Sequence, residues 1–238
     1  MPRAVNATAI PFQACPAYLG RWRCSVQEKI VLTALGQGFE EGACEFPEGG
    51  SFLEMGGNNG LHESNTRCLE AYFGWSGYLI EANPQLYRDL CRNRPKAVGM
   101  SLAVCPHAGT VNLTIPVRHK DRYGRKNGTF AAAPAAGIAE YFGRAHNATF
   151  RVDDAAVTRQ VPCLPLHSII LGNQGLDYLS VDVEGAELMA LQTFPWERIK
   201  PRVVGVEQSA DSQPKNAAVR GLLRENGYAL VAGRAVTW

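Results

Sequence analysis

The chain has 238 residues, 46% of them hydrophobic, which is enough for one sizeable domain with a buried core. Lysine and arginine number 24 against 22 aspartates and glutamates, and the net charge of +2 gives no basic footprint for nucleic acid. The sequence contains no apolar run of transmembrane length and no signal-peptide core, so we expect neither a nucleic-acid partner nor direct membrane contact.

The cysteine content and the glycosylation pattern bear on the cellular compartment. Seven cysteines without a CxxC pair leave at least one thiol unpaired within a monomer, and four Asn-x-Thr triplets match the acceptor pattern for N-glycosylation. Both features favour the secretory-pathway lumen or secretion, with an N-terminal anchor removed. The alternative is a cytoplasmic protein with reduced thiols. The cysteines are Cys15, Cys24, Cys44, Cys68, Cys91, Cys105 and Cys163, and the triplets begin at Asn6, Asn112, Asn127 and Asn147.

The first 50 residues predict a cap on the main domain, which we expect to occupy residues 51–238. Most of this segment has no hydrophobic period, but VQEKIVLTALGQGF (26–39) places Ile30, Val31, Ala34 and Leu35 on one helical face. Gly36 is a suitable end for that helix.

From residue 51 the pattern alternates between strands and helices. An apolar run (52–55) leads through a glycine-rich turn to a helix with Ser64 as its N-cap. GYLIEANP (77–84) predicts a second strand, Pro84 opens another helix, and AVGMSLAVC (97–105) predicts a third strand. Such alternation is typical of βαβ units in an α/β fold with a parallel sheet.

Residues 106–160 interrupt the alternation and predict an insertion that acts as a mobile lid, although TVNLTIPV (110–117) is compatible with a strand. Regular structure returns at 164–171, in the strand LDYLSVDVEG (176–185), and in a helix over about 186–193. A strand (202–208), a helix (217–227) and a closing β-hairpin (228–238) complete the prediction.

The turn SFLEMGGNNG (51–60) places glycines where a nucleotide-like ligand can approach backbone N–H groups. A dinucleotide fingerprint would need glycine at positions 58 and 61, which hold Asn58 and Leu61. Glu54 at the strand end would repel an anion but attract an ammonium or a sulfonium. Glu81, at the end of the next strand, can accept both ribose hydroxyls. The pattern favours S-adenosylmethionine; the alternative is an ordinary tight turn and a solvated strand end.

Several segments together resemble the FkbM-type methyltransferases, class I enzymes that use S-adenosylmethionine and often methylate hydroxyls. They are FLEMGGNNG followed by SNT, then GWSGYLIEANP, DYLSVDVEGAEL and VVGVE. The resemblance covers about 51–231 and implies a Rossmann-like, doubly wound, mostly parallel seven-stranded sheet closed by an antiparallel hairpin. Asn58 and Asn59 in the turn, His62 after it and the long insertion depart from the family pattern and leave the substrate open.

The resemblance also implies roles for individual residues. Asp182 and Glu184 would border the reacting methyl group, and Ala103 would lie beside the adenine. The implied cofactor-binding residues are Glu54, Gly56, Gly60, Glu81, Ala82, Ala103 and Asp182.

The chemistry of methyl transfer suggests candidate bases. Asp182 or Glu184 could accept the acceptor's proton, align its hydroxyl or ligate a divalent cation. Glu184 could instead cap the following helix. His62 is the other candidate base, or else a solvated loop histidine. The histidines have no metal-ligand spacing, so the sequence indicates no metal site.

These observations predict an S-adenosylmethionine-dependent O-methyltransferase. The sequons and the polar insertion favour a carbohydrate hydroxyl, or a similar small polar molecule, as the acceptor. The alternative is a non-catalytic cofactor-binding or scaffold protein that retains the fold. The intact carboxylates at the strand ends favour the enzyme.

Overall fold

The structure, a computed structural model, describes residues 24–35, 49–116, 156–170, 175–208 and 213–230. Within these ranges the strands are β1 (Ser51–Met55), β2 (Ser76–Ile80), β3 (Val98–Met100), β4 (Ala103–Val104), β5 (Gly109–Pro116), β6 (Ala156–Leu164), β7 (Tyr178–Val181) and β8 (Val203–Val206). The helices are α1 (Val26–Leu35), α2 (Arg67–Phe73), α3 (Pro84–Asn93), α4 (Leu166–Ile169), α5 (Glu187–Gln192) and α6 (Gln213–Glu225).

Five strands form the main sheet, in the order β3-β2-β1-β7-β8, and every pair in it is parallel. The predicted α/β class with a mostly parallel sheet is therefore confirmed. The predicted count of seven strands is not confirmed, because the described residues contribute five. Most of the predicted closing hairpin falls on residues 231–238, outside the described residues, and residues 228–230 are not in a strand.

Helices cover both faces of the sheet, as the alternation of side chains along each strand requires. On one face, buried residues such as Leu53 and Val204 pack with Leu191 of α5 and Leu223 of α6. On the other face, Phe52 and Tyr178 pack with residues of α1, α2 and α3. The buried strands β7 and β8 are apolar throughout or nearly so, which is typical of central parallel strands.

The predicted third strand (97–105) is divided. Residues 98–100 form β3 at the edge of the main sheet, whereas residues 103–104 form β4 in a second sheet, which has the order β4-β6-β5. The apolar pattern runs through both pieces, so hydrophobicity alone could not locate the break between the two sheets.

The base of the predicted insertion is a β-hairpin. Strands β5 and β6 pair antiparallel from Gly109 with Cys163 to Pro116 with Ala156, which confirms the strand suggested by TVNLTIPV. A disulfide between Cys105 and Cys163 ties β6 to the chain leaving β4. Residues 117–155, which carry most of the predicted lid, lie outside the described residues.

Helix α1 confirms the helix predicted in the N-terminal segment. Val31, Leu32 and Leu35 are buried with residues of the main sheet, and the Cys24–Cys68 disulfide links the residues before α1 to α2. The rest of the predicted cap, residues 1–23 and 36–48, is outside the described residues. Within the described ranges, no helix is both long enough and apolar enough to cross a membrane.

Candidate functional site

The register of the main sheet aligns four candidate residues in a row at its carboxyl edge. Met55 pairs with Ile80 and Val181, and Val181 pairs with Val206. Each of these paired residues is the last of its strand. The residues that come next are therefore level on neighbouring strands, in the order Glu81, Gly56, Asp182 and Glu207. Open α/β sheets bind their ligands at this edge.

The turn after β1 differs from the predicted cradle of free N–H groups. The N–H groups of Gly56 and Gly57 donate to the Ile80 carbonyl at 2.9 and 3.0 Å, and that of Gly60 donates to Gly57. The other N–H groups of the turn donate to side-chain oxygens: Asn58 to Glu81, Asn59 to Asn58, and both Leu61 and His62 to Asn59. This turn offers no N–H nest for a phosphate.

The two predicted glycines are required by packing within the protein. Gly56 has φ 81°, and a Cβ there would collide with the backbone carbonyl of Asp182. Gly60 has φ 79°, and a Cβ would lie 2.7 Å from Cγ of Arg94. Gly56 therefore lets the turn and the end of β7 approach each other closely.

Glu54 is fully buried, and its carboxylate organises the chain after the turn. It accepts hydrogen bonds from the Ser64 hydroxyl at 2.9 Å, the Asn65 N–H at 2.6 Å and the Thr66 hydroxyl. Burial raises the pKa of Glu54, whereas these bonds and the charge of Arg94 oppose the rise. Its predicted contact with the cofactor stays a prediction; the structure gives it a role in shaping the turn.

Arg94 completes this buried network, which we call the turn network: Glu54, Ser64, Thr66, Glu70 and Arg94. The Arg94 guanidinium forms an ion pair with Glu70 at 2.9 Å and donates to both hydroxyl side chains and to the Gly60 carbonyl. Three separate parts of the chain, β1, the segment before α2 and the end of α3, are thereby held together.

Glu81 lies beside the turn, where the sequence predicted an acidic residue. It is 7% exposed, and its two carboxylate oxygens accept hydrogen bonds from the N–H groups of Asn58 at 2.8 Å and Asn83 at 2.7 Å. Burial raises the pKa of Glu81 to about 7. A carboxylate has about four lone-pair positions, so two acceptor positions remain for a ligand's hydroxyls.

Ala82 and Ala103 come together next to the second sheet. Both pack against the buried cluster of the hairpin, which includes Cys105, Val111 and Cys163. These two predicted cofactor-binding residues, of which Ala103 was expected beside the adenine, thus share one apolar surface, and their contact with a ligand stays a prediction.

Asp182 and Glu184 belong to an acidic group that the sequence analysis recognised only in part. Glu207, after β8, forms a side-chain hydrogen bond with Asp182. Burial, with the nearby charges of Glu207 and Glu184, raises the pKa of Asp182 to about 9. Burial, with the charges of Glu207 and Glu187, raises the pKa of Glu184 to about 8. The group therefore retains protons at neutral pH.

The alternative role of Glu184, as a cap of the following helix, stays a prediction; the turn before α5 is held by Glu187. Glu187 accepts from the N–H groups of Gly185 at 2.8 Å and Val183 at 3.3 Å, and it pairs with Lys215. Glu184 adopts φ 53°, a left-handed conformation that is costly for a residue with a side chain. Among the described residues, the other non-glycine positive φ angles occur at Asn58 and Glu63, in the facing turn.

His62 is exposed on the turn. Its Nδ1 lies 3.3 Å from a carboxylate oxygen of Glu63, and the two side chains are 44% and 70% exposed. Glu63 is close enough to raise the pKa of Glu184 by its charge, so this turn borders the acidic group. The proposed role of His62 as a base stays a prediction.

Within the described residues, the one group with metal-like ligand spacing is Cys24, Glu28 and Cys68. Its two thiols form a disulfide, so the group is structural. The carboxylates at the sheet edge do not have such spacing.

Glu207 and Arg94 are the residues that sequence reasoning missed. Glu207 follows the apolar strand VVGV as Asp182 follows YLSV, and this repeated pattern was the available signal. Arg94 offered none, because an arginine at the end of a polar helix is usually solvated.

The fold and this edge define an α/β protein with acidic groups at the carboxyl ends of its parallel strands, where a phosphate-binding enzyme has free N–H donors. The chain matches the model of the Methyltransferase FkbM domain over residues 54–230, and it therefore belongs to the FkbM methyltransferase family. The family resemblance seen in the sequence is confirmed, and membership indicates a methyltransferase. Comparison with curated proteins and with solved structures found no match.

Proposed function

We propose that this protein is an S-adenosylmethionine-dependent methyltransferase that methylates a hydroxyl group. The observation that carries the proposal is the level row of carboxylates, with Glu81 on one side of Gly56 and Asp182 on the other. Neighbouring strands are about 4.8 Å apart, so the two positions are separated by about 10 Å across β1. An elongated ligand with hydroxyls at one end and a positive charge at the other suits this spacing.

The chemistry of the available groups fits this cofactor better than an anionic nucleotide. Glu81 has acceptor positions for ribose hydroxyls, and the N–H groups of the turn are already bonded within the chain. Asp182, Glu184 and Glu207 form an acidic region on the other side of Gly56, and a nearby cation favours the ionised forms of these groups. Such a region favours a sulfonium or an ammonium and disfavours a pyrophosphate.

When bound, the cofactor supplies a methyl carbon already activated by its sulfonium. The chain must then hold the acceptor in line and remove its proton. Asp182 and Glu184 lie where they can do so, because both follow β7 beside the turn. Glu81 would hold the cofactor, and Ala82 and Ala103 would provide an apolar surface for the adenine.

We propose a carbohydrate or a similar small polar molecule as the acceptor, in the secretory-pathway lumen or outside the cell. The Cys24–Cys68 and Cys105–Cys163 disulfides support an oxidising compartment. Asn112, the one sequon asparagine among the described residues, has an exposed side chain on β5.

Two measurements test the proposal. Calorimetry with S-adenosylmethionine, S-adenosylhomocysteine and NAD determines the ligand class, and we expect the first two to bind. Incubation with methyl-labelled cofactor and a panel of glycans, lipids and small hydroxylated metabolites then identifies the acceptor. Binding of NAD alone would contradict the cofactor assignment, and cofactor binding without transfer to any acceptor would favour the scaffold alternative.

A further inference from the structure

Asp182 and Glu207 are held together by the sheet itself. They follow Val181 and Val206, which pair in register, and the Glu207 N–H donates to the Val181 carbonyl at 2.9 Å. Their side chains are hydrogen-bonded to each other. The backbone thus fixes the two carboxyl groups side by side.

A hydrogen bond between two carboxyl groups needs a proton, because two carboxylates are both acceptors and repel each other. The pair therefore holds one proton and carries a single negative charge while that proton remains. The raised pKa of Asp182, about 9, agrees with this reading.

The surrounding charges strengthen the retention of that proton. Glu184, in the same turn, and Glu187, on α5, both act on Asp182, and Glu63 reaches Glu184 from the facing turn. Lys215, on α6, lies near this acidic group and lowers the pKa of Glu184 by its charge, but its ammonium forms an ion pair with Glu187. A positive ligand beside Asp182 would favour its ionised form and oppose retention of the proton.

We propose that Glu207 is a positioning residue that shares one proton with Asp182, and that binding of the cationic cofactor releases this proton and leaves Asp182 ionised for catalysis. The inference rests on the proposed function and assigns Glu207 a role that family membership does not state. It makes formation of the base depend on the presence of the methyl donor.

The proton balance closes over one cycle. Cofactor binding releases the shared proton to solvent. In transfer, the bond from sulfur to the methyl carbon breaks with its electrons left on sulfur, the acceptor oxygen bonds to that carbon, and the acceptor's proton passes to Asp182. The product thioether lacks the sulfonium charge, so the Asp182–Glu207 pair again holds its proton when the product leaves.

The direct test compares proton release on binding of S-adenosylmethionine and S-adenosylhomocysteine, by calorimetry in buffers of different ionisation enthalpy. Both compounds carry the same α-amino group, so its titration cancels in the comparison. We expect the wild type to release about one more proton with the sulfonium compound. The Kd of S-adenosylmethionine relative to that of S-adenosylhomocysteine should fall about tenfold per pH unit from about pH 6.5 to 8.5, because the Asp182–Glu207 pair of the free protein is protonated below its pKa and the pair beside the sulfonium is not. Glu81 also titrates near this range, but both compounds carry the ribose, so its contribution cancels in the ratio.

Two variants and a control test whether the extra proton comes from the Asp182–Glu207 pair. In Glu207→Gln the new amide can donate to Asp182, so the extra proton release and the steep pH dependence should disappear. Asp182→Asn should remove them equally, and it serves if the first variant does not fold. Glu225→Gln, an exposed change at the end of α6, should behave as the wild type.

The protein without ligand provides an independent measurement. Infrared difference spectra at neutral pH should show a protonated carboxyl in the wild type and in Glu225→Gln that is missing in Glu207→Gln. Equal proton release by both compounds in the wild type, or unchanged release in a folded Glu207→Gln protein, would overturn the inference while leaving the proposed function intact. Failure of the wild type to bind either compound would remove the proposed function and this inference with it.

Discussion

Replacing Arg94 with methionine tests whether the turn network holds the cofactor turn in place. Methionine preserves much of the aliphatic stem and its packing near Phe52, over whose ring the guanidinium lies at 5.6 Å. The substitution removes the charge opposite Glu70 and Glu54 and four further hydrogen bonds, to Gly60, Ser64 and Thr66.

The expected loss follows from burial. The side chains of Arg94 and Glu70 are only 3% and 9% exposed, so solvent screens their interaction weakly. Removing one partner of a buried pair leaves the other charge uncompensated and costs about 3–5 kcal/mol. Urea unfolding should measure this loss in the free energy of unfolding. Arg92→Met is the matched control on the same helix, since its pair with Asp89 is 77% and 54% exposed and contributes about 0–1 kcal/mol.

The pH dependence of the loss adds a second criterion. Without Arg94, the buried Glu54 should have an even higher pKa, so the folded state would bind more protons than the unfolded state above pH 4.5, the ordinary value for glutamate. The free energy of unfolding of the variant then falls as pH rises. Its difference from the wild-type free energy of unfolding should be larger at pH 8 than at pH 5. A loss below about 1 kcal/mol that is equal at both pH values would refute the assignment of the turn network.

Four further predictions concern the site and the compartment. Glu81→Ala should weaken binding of S-adenosylmethionine by about 1.5–3 kcal/mol, measured by calorimetry, because hydrogen bonds to a charged group are lost; unchanged affinity in folded protein would exclude Glu81 from the site. Asp182→Asn should lower kcat about 10²-fold and leave cofactor affinity within a few-fold near neutral pH, and Glu184→Gln should do the same if Glu184 shares the role of general base. Normal turnover in both variants would make His62 the next residue to test. Replacing both cysteines of the Cys105–Cys163 bridge with alanine should lower the free energy of unfolding by about 2–4 kcal/mol, since the bridge closes a separation of 58 residues; no change in the urea midpoint would contradict this. Expression through a eukaryotic secretory route should give a mass that glycosidase treatment reduces, with Asn127 or Asn147 better acceptors than Asn112 on β5, and an unmodified product with all thiols titratable would favour the cytoplasm.

The sequence by itself determined the class of fold and most of the strand ends at the site. Apolar runs such as YLSV and VVGV are typical of central strands, and their alternation with amphipathic helices indicates a parallel sheet. Because the polar residue after each strand must lie at the carboxyl edge, Glu81 and Asp182 could be predicted as site residues. These inferences depend on local periodicity, which needs no knowledge of distant contacts.

Only the tertiary structure decided how these residues are used. The glycine turn was predicted as a cradle for a ligand, but its N–H groups are bonded within the chain, and Gly56 is needed where β7 passes. The place of Glu54 at a strand end was predicted, but the burial of its carboxylate against Thr66 and Arg94, 12 and 40 residues further along the chain, was not. The partnership of Asp182 with Glu207 likewise depends on the register of two strands joined by a helix. Hydrogen-bond partners and pKa shifts arise from contacts between distant parts of the chain, and a local pattern cannot specify them.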